Sequence, residues 1–271
     1  MQDSSKPIWI QPKQIDKQIT LKPNYNIFVA TPVHSDVSIH YVQALLQFQK
    51  ECFKRNVGLT IQLFKSSLIT QGRNLCVGGF METKHTHLLF IDADIDFTSE
   101  SIFTMIEKDE DIMSIPYPMK TINWEKIFQN FQAGKIKTVK DLSTGGNTYP
   151  MRLIDEEKIK VNNGVIEVTY SPTGCMLIKR SVIEKMIDNY PHLKIIQPMI
   201  INGEPTDKPY LYNFFDTMFD QETHTYMGED FAFCKRWKDI GGKCHAYVND
   251  YITHAGEHQY CGKFIDELII E

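Results

Sequence analysis

The sequence lacks an excess of basic residues. Its 271 residues include 29 Lys and Arg against 34 Asp and Glu, which gives a formal net charge of −5 and a pI near 6.0. A chain without a positive field has nothing to hold a long polyanion such as DNA or RNA, so we expect no nucleic-acid partner. A small anion held by a metal ion and one or two arginines remains compatible with this charge.

The sequence also lacks long apolar runs and paired cysteines. No apolar stretch approaches the ~20 residues of a membrane span, and the N-terminal segment lacks the basic-then-apolar layout of a secretory signal. We therefore expect no membrane span and a cytoplasmic location. The six cysteines show no C-x-x-C spacing, which disfavours a zinc site, and without a signal peptide we expect reduced thiols.

Strands that alternate with helices are predicted for the first third of the chain. Three apolar runs predict buried strands: "YNIFVA" (25–30), "GLTIQLF" and "THLLFIDA". Ser35 or Asp36 is expected to cap a long helix that ends near Asn56. The predicted core face of this helix consists of Val42, Leu45, Leu46, Gln49 and Phe53. Apolar strands separated by helices are typical of a parallel sheet covered on both faces, so we predict an α/β fold whose ligands bind at the carboxyl ends of strands.

The rest of the chain predicts one compact unit behind a polar lead-in, residues 1–24. Helices are predicted at "TSESIFTMIEK", "NWEKIFQNFQ" and "GEDFAFCKRWKD", and strands at "DIMSI", "GCMLI" and "CHAYVND". The segment "EKIKVNNGVIEVTY" predicts a β-hairpin around Asn163 and Gly164, and the tail "YITHAGEHQYCGKF" is expected to be irregular. The aromatic, Met-rich residues 197–219 predict a core segment plus a loop, with an acceptor platform or a homodimer contact as alternatives.

The apolar run "LLFIDADIDF" (88–97) ends in three carboxylates, Asp92, Asp94 and Asp96, at alternate positions. Like charges this close raise one another's pKa and destabilise a fold unless a cation or a reaction needs them. A calcium loop is excluded, because its sixth and twelfth positions would be Phe97 and Phe103 instead of Gly and Glu. Three interpretations remain: a phosphoryl-transfer D-x-D, a clamp for a divalent ion and the diphosphate of a nucleotide-sugar, and carboxylates that only cap a helix and solvate a strand end.

Five other residues are candidates for the same site. Arg73 stands in "TQGRN", on a turn predicted to enter a helix, where its guanidinium can reach a diphosphate or a base. Gly174 ends a loop of small residues that suits close approach by a sugar. Glu229 and Asp230 open a helix, where the dipole alone also favours carboxylates, and His254 can complete a metal shell. Each has a structural alternative: a surface arginine, a simple turn, a helix cap or a structural histidine.

The order and spacing of these segments resemble the GT-A nucleotide-sugar-dependent glycosyltransferases, in particular the compact enzymes of giant viruses (mimivirus-like), phages and some bacteria. The resemblance covers about 26–263 and rests on "FVATPVHSD", "TQGRN", "HLLFIDADIDF", "IPYPMKTINW", "SPTGCMLIKR", "GEDFAFCKRW" and "THAGEHQYCG". It implies a GT-A fold, Rossmann-like, with a mostly parallel central sheet and helices on both faces. It also implies a single domain over 1–271, in which a nucleotide-binding half (25–97) abuts an acceptor-binding half (98–271). If the source is viral, the implied location is the cytoplasm of the host.

The resemblance further implies which residues bind the nucleotide-sugar: Thr31, Pro32, Val33, Asp36, Arg73, Asp92, Ala93, Asp94 and Gly174. Of these, Thr31, Pro32 and Val33 would line a uracil and ribose pocket. Asp94 would ligate a metal directly, with His254 as a distant third ligand and Asp92 at the ribose or the metal. Lys120 and Trp124 would border the sugar, and Asp96 receives no role.

The implied activity is metal-dependent transfer of a hexose, with glucose the best single candidate, from a UDP-sugar to an unknown glycan or protein acceptor. Oxygen ligands suit Mn²⁺ or Mg²⁺, and an imidazole shifts the preference toward Mn²⁺. Glu229 and Asp230 match the acidic pair that faces the acceptor or the donor sugar in this fold. Asp230 is our candidate for the general base of an inverting enzyme; in a retaining enzyme it would bind the acceptor or the donor sugar instead. The alternatives are a D-x-D metal-dependent phosphoryl-transfer enzyme and a non-catalytic protein of this fold that binds glycan.

Overall fold

A computed structural model describes residues 25–196, 198–201 and 203–268. The predicted lead-in, residues 1–24, lies outside the described residues. The strands in chain order are β1 (Asn26–Val33), β2 (Gly58–Lys65), β3 (His87–Ile91), β4 (Ile95–Asp96), β5 (Ile112–Ser114), β6 (Arg152–Leu153), β7 (Val165–Tyr170), β8 (Cys175–Lys179), β9 (Met199–Ile201), β10 (Glu204–Thr206), β11 (Met218–Asp220), β12 (Thr225–Met227), β13 (Cys244–Tyr247), β14 (Ile252–Ala255) and β15 (Gln259–Gly262). The α-helices are α1 (Ile39–Lys54), α2 (Ile69–Met81), α3 (Ser99–Lys108), α4 (Trp124–Gln132), α5 (Val139–Thr144), α6 (Arg180–Asn189) and α7 (Glu229–Asp239).

Eight strands form the central sheet, in the order β2-β1-β3-β8-β5-β13-β7-β6. Six of the eight point in the same direction, whereas β7 and β8 run antiparallel to their neighbours. The predicted α/β fold with a mostly parallel central sheet is therefore confirmed, and this sheet is compatible with a Rossmann-like fold. The reversal of β8 is not evident from the sequence, because an apolar run buried on both faces reads the same in either direction.

Helices cover both faces of this sheet, as predicted. Along β1, Phe28 and Ala30 belong to a core cluster that includes side chains of α2, α6 and α7. The alternate residues Ile27 and Val29 belong to a second cluster with side chains of α1 and α3. The period of two along a strand explains this division, since successive side chains point to opposite faces.

The core face of α1 differs from the predicted one. The helix begins after Ser38, whose side chain caps it, and its buried residues are Tyr41, Ala44, Phe48 and Cys52. The predicted face is displaced by about one residue, and its member Phe53 is 88% exposed. Since adjacent helical positions are separated by 100°, an error of one residue is enough to turn a side chain from the core to solvent.

The C-terminal tail is not irregular, and that prediction is wrong. Strands β14 and β15 form an antiparallel hairpin, and β14 also pairs with the short strand β4. In this register His254 lies opposite Ile95 and Thr253 lies opposite Asp96. The tail therefore brings His254 to the carboxylate-rich loop that follows β3.

Two other predictions are met in part. Asn163 and Gly164 have positive φ values of 48° and 78°, as the predicted turn requires, but the strand before the turn is reduced to one bridge between Asn162 and Val165. In the segment 197–219, Phe214 and Phe215 are fully buried, which supports the interpretation as a core segment. Within the described residues, no helix combines the length and apolar character needed to cross a bilayer.

Candidate active site

A cleft of about 660 Å³ lies at the edge of the sheet where the parallel strands β1, β2 and β3 end. It is formed by the three loops that follow these strands, and its size falls in the usual range for small-molecule sites. Its lining residues are Pro32, Val33, His34, Ser35, Asp36, Val37, Ser38, Ser66, Ser67, Leu68, Ile69, Asp92, Ala93 and Asp94. A second cleft, of about 530 Å³ around Lys108, Glu110 and His245, holds none of the predicted site residues.

Backbone hydrogen bonds hold the D-x-D loop from three sides. The Asp92 N–H donates to the carbonyl of Gly174 at 2.9 Å, and the carbonyl of Ala93 accepts from the Ser38 N–H at 2.8 Å. The carbonyl of Asp94 accepts from the Ala255 N–H at 2.7 Å. The loop is therefore fixed to the loop after β1, to the start of β8 and to the end of β14, so that segments far apart in sequence meet at one carboxylate pair.

Arg73 lies inside α2 and not on a turn before it, which corrects the prediction. Its buried guanidinium donates to both oxygens of Asp92, at 3.0 and 3.2 Å, and to Glu229 at 3.3 Å. Burial alone would lower the pKa of Arg73, but the charge of Asp92 and then that of Glu229 outweigh it and raise this pKa. Helix α2 can lie this close to the cleft because residue 72 is a glycine that faces Pro32. A Cβ on residue 72 would lie 3.3 Å from the Cβ of Pro32.

Asp94 contacts an ammonium and an imidazole. Its Oδ2 lies 2.5 Å from Lys120 Nζ and 3.4 Å from His254 Nε2. Burial raises the pKa of Asp94, but the bonds to His254 and Lys120 outweigh this effect and leave its pKa below the ordinary value. His254 Nδ1 lies 2.9 Å from the carbonyl of Pro118, and because a carbonyl only accepts, this contact places a proton on Nδ1. Nε2 is therefore the nitrogen that faces Asp94, where it can donate to the carboxylate or ligate a metal ion.

Asp230 has the most strongly raised carboxylate pKa in the site. Burial first, and the neighbouring Glu229 carboxylate second, raise the pKa of Asp230 from 3.8 to about 6. Its Oδ1 accepts a hydrogen bond from the Phe231 N–H at 2.8 Å. A carboxylate that titrates near 6 is suited to accept a proton close to neutral pH.

Tyr117 is a site residue that sequence reasoning missed. It is buried, its ring packs edge-on against His254 with 4.9 Å between centroids, and its pKa is raised well above 10.0 by burial and then by Asp92. Asp94 and Asp230 raise that pKa further, so this one hydroxyl lies within electrostatic reach of both ends of the site. Its position between two prolines just after a strand, in "IPYP", is the signal that was available.

Two predicted residues have structural explanations in the fold. Thr31 does not line the cleft: it is fully buried, and its hydroxyl lies 2.7 Å from the hydroxyl of Tyr41. At Gly174, a Cβ would lie only 2.4 Å from Cε1 of Tyr117, so this glycine makes room for a tyrosine ring. Contact of Gly174 with a sugar remains a prediction.

The other predicted residues come together in two groups. The residues that line the cleft are Pro32, Val33, Asp36, Asp92, Ala93 and Asp94. Arg73 and Glu229 join them through ion pairs, and His254 joins them through its contact with Asp94. Asp96 does not line the cleft. In the part of the chain that the structure describes, no group of three His, Cys, Asp or Glu side chains converges on one point. Asp94 and His254 therefore face one another as a pair, without a third such side chain beside them among the described residues.

Comparison with known proteins does not place the chain in a family. No protein-family model matches it, and no curated protein matches it. Among solved structures, the protein A197 from STIV is 16% identical and similar over 91% of this chain and 94% of its own, with a TM-score of 0.47. A glycosyltransferase involved in the glycosylation of the major capsid of PBCV-1 is 11% identical and similar over 61% of this chain and 66% of its own, with a TM-score of 0.27. Both are distant similarities of shape, and neither carries a conclusion about function.

Proposed function

We propose that the protein is a metal-dependent glycosyltransferase of the GT-A fold that transfers a hexose, with glucose the first candidate, from a UDP-sugar to a glycan or protein acceptor. The observation that supports this proposal is the convergence of three features at one edge of the sheet. A nucleotide-sized cleft ends at Asp94, Nε2 of His254 faces that carboxylate, and burial together with Glu229 raises the pKa of Asp230 to about 6.

The cleft would bind the nucleotide of the donor. In this proposal Val33, at the end of β1, and Asp36, on the loop that follows, contact the base and ribose. Asp92 and Asp94 lie at the diphosphate end. Arg73 is buried and shared between Asp92 and Glu229, so it acts here as a positioning residue for both carboxylates. Lys120, at the rim beside Asp94, brings a positive charge to the same end of the cleft.

The chemistry of the donor set fits Mn²⁺ or Mg²⁺. Asp94 offers carboxylate oxygens, and His254, oriented by the carbonyl of Pro118, offers one imidazole nitrogen, a combination that favours Mn²⁺. Two ligands from the chain leave room for the oxygens of a diphosphate, and Asp92 remains a candidate for a third. When bound there, the ion would act as a Lewis acid that stabilises the leaving nucleoside diphosphate.

Asp230 would accept the proton of the acceptor hydroxyl. A base with a pKa of about 6 is ionised at neutral pH and still basic enough to assist proton transfer. Glu229, held by Arg73, would keep the local field negative and raise the basicity of Asp230. Direct attack assisted by this base inverts the anomeric configuration, so analysis of the product anomer tests the assignment, and retention would overturn it.

A thermal-shift screen tests the proposal. Wild type, Asp94→Ala and the control Asp96→Asn are mixed with UDP, GDP, CMP and UDP-sugars, each with Mn²⁺ or with chelator. At a hundredfold excess over Kd a bound nucleotide adds roughly 2.7 kcal/mol of stability, which raises the Tm by several degrees. We expect a Mn²⁺-dependent rise with UDP compounds that Asp94→Ala loses and Asp96→Asn retains.

The screen also separates the two alternatives. Binding of UDP-sugar without turnover to any acceptor would favour a non-catalytic glycan-binding protein. No shift with any nucleotide, together with hydrolysis of a phosphate ester that depends on Asp94, would favour a phosphoryl-transfer enzyme.

A further inference from the structure

Lys120 places a positive charge on the carboxylate that would bind the metal ion. Its Nζ lies 2.5 Å from Oδ2 of Asp94, and Nε2 of His254 lies 3.4 Å from the same oxygen. The side chains of Lys120 and Asp94 are 38% and 35% exposed. Ion pairs with this much solvent contact are weak, so the ammonium group can exchange Asp94 for a ligand in the cleft. Lys120 and His254 therefore share one oxygen of the D-x-D loop.

The segment that carries His254 also positions the side chain of Lys120. Gly256, between β14 and β15, leaves space for the aliphatic part of this lysine: a Cβ on residue 256 would lie 3.1 Å from Cδ and 3.4 Å from Cε of Lys120. The carbonyl of Pro118, two residues before Lys120, lies 2.9 Å from His254 Nδ1. The two segments thus contact each other twice, and these contacts bring the ammonium and the imidazole to the same carboxylate.

An ammonium group and a divalent ion repel each other if both bind this oxygen. Both are cations, and the repulsion between a single and a double positive charge a few ångströms apart is large where water is partly excluded. Asp92, the other carboxylate of the D-x-D loop in the cleft, is already paired with Arg73. An ammonium group that leaves Asp94 therefore gains most from an anion that a ligand brings. The oxygens of a diphosphate offer such a partner.

We propose that Lys120 competes with the divalent ion for Asp94, and that the diphosphate of the nucleotide relieves this competition by pairing with the ammonium group. The inference rests on the proposed function, because it concerns the same site, and it adds a coupling: ion and nucleotide each bind more tightly when the other is present. Such coupling is reciprocal, so the nucleotide strengthens binding of the ion by the same factor as the ion strengthens binding of the nucleotide. Lys120 thus makes metal binding depend on the donor.

Binding of Mn²⁺ to the full chain, measured by electron paramagnetic resonance, tests this proposal. Without nucleotide, Lys120→Met should bind Mn²⁺ at least about fivefold more tightly than wild type, and Lys120→Met/Asp94→Ala should lose this gain. Lys120→Arg keeps the charge and should bind Mn²⁺ no more tightly than wild type. After correction for Mn²⁺ bound by UDP in solution, UDP should strengthen Mn²⁺ binding less in Lys120→Met than in wild type.

The matched control is Lys208→Met. Lys208 pairs with Glu82 at 2.9 Å, and the two side chains are 21% and 33% exposed, so its replacement also breaks a partly exposed ion pair and removes one positive charge. Lys208 lies outside the residues that line the cleft. Lys208→Met should therefore bind Mn²⁺ as wild type does.

Equal Mn²⁺ affinity in wild type and Lys120→Met would overturn the competition, and so would an equal gain in Lys208→Met, which would reduce the effect to net charge. If UDP still binds with Mn²⁺ in either case, the proposed function stands. Tighter Mn²⁺ binding in Lys120→Met, with no binding of UDP to any variant, would support the competition and overturn the UDP-sugar donor. No Mn²⁺ binding by any variant, with or without UDP, would overturn both. Because Lys120 is partly exposed, the Tm of its variants should stay close to wild type and verify that they are folded.

Discussion

The guanidinium of Arg73 donates two nearly parallel hydrogen bonds to Asp92, at 3.0 and 3.2 Å, while its Nε donates to Glu229 at 3.3 Å. One buried cation thus connects the D-x-D loop at the end of β3 with the acidic pair at the start of α7. A lysine has a single ammonium and cannot reproduce this fork, so the geometry depends on arginine.

Replacement of Arg73 should destabilise the fold and disable the site together. Arg73→Met leaves Asp92 and Glu229 without their partner, and removal of one member of a buried ion pair typically costs about 3–5 kcal/mol. We expect a loss near the lower end of that range in urea denaturation, because both carboxylates keep some contact with solvent. The triple variant Arg73→Met/Asp92→Asn/Glu229→Gln should recover part of the loss, since it leaves no unpaired charge. A triple variant less stable than Arg73→Met would contradict this account.

Replacement of His254 should weaken metal-dependent binding and leave the fold intact. His254→Asn keeps a side-chain N–H near the carbonyl of Pro118 but removes the nitrogen that faces Asp94. We expect the affinity for UDP in the presence of Mn²⁺ to fall by at least about tenfold in calorimetry, with only a small fall in the metal-free Tm from the lost contacts with Asp94 and Tyr117. Equal affinity in wild type and variant would remove His254 from the ligand set.

Replacement of Asp230 should stabilise the protein while it abolishes transfer. The pKa of Asp230 in the fold, about 6, lies above the ordinary 3.8, so ionisation of this group destabilises the folded state. The penalty is complete above pH 6, shrinks as the pH falls from 6 toward 4, and vanishes below the unfolded pKa. Asp230→Asn should therefore gain roughly 2–3 kcal/mol at pH 8 and progressively less in acid.

The rate of transfer gives a second readout for Asp230. If it is the general base, activity should rise with pH through about 6 as the carboxylate ionises, and Asp230→Asn should be inactive at every pH. A variant that is stabilised as expected but retains activity would separate the buried carboxylate from catalysis.

Replacement of Gly174 distinguishes packing from sugar contact. In Gly174→Ala the new methyl group would meet the ring of Tyr117, whose Cε1 lies only 2.4 Å from the site of the Cβ. We expect a loss of about 1–3 kcal/mol in thermal unfolding without ligand. In a Tyr117→Leu background the same change should cost much less. A substitution that lowers affinity for the donor without any change in stability would instead support the contact with sugar.

Several elements of the fold could be predicted from local patterns. Strand β3 was recognisable because it is a short, wholly apolar run, and α7 because Gly241 and Gly242 follow its periodic segment. The face of α1 was misplaced, since Tyr41 and Cys52 belong to the buried stripe and Phe53 does not. The hairpin of β14 and β15 was missed, because its strands are short, mix polar with apolar residues, and depend on pairing with β4 and not on a local pattern.

For the candidate site, the sequence alone determined which carboxylates would stand at the carboxyl end of a buried strand, because the apolar run and the alternation of Asp92 and Asp94 are local properties. Only the tertiary structure decided their partners. The burial of Arg73 between two carboxylates, the space that Gly174 leaves for Tyr117 and the approach of His254 to Asp94 all depend on strand order and register. Those are set by contacts between distant segments, and no local spacing of residues encodes them.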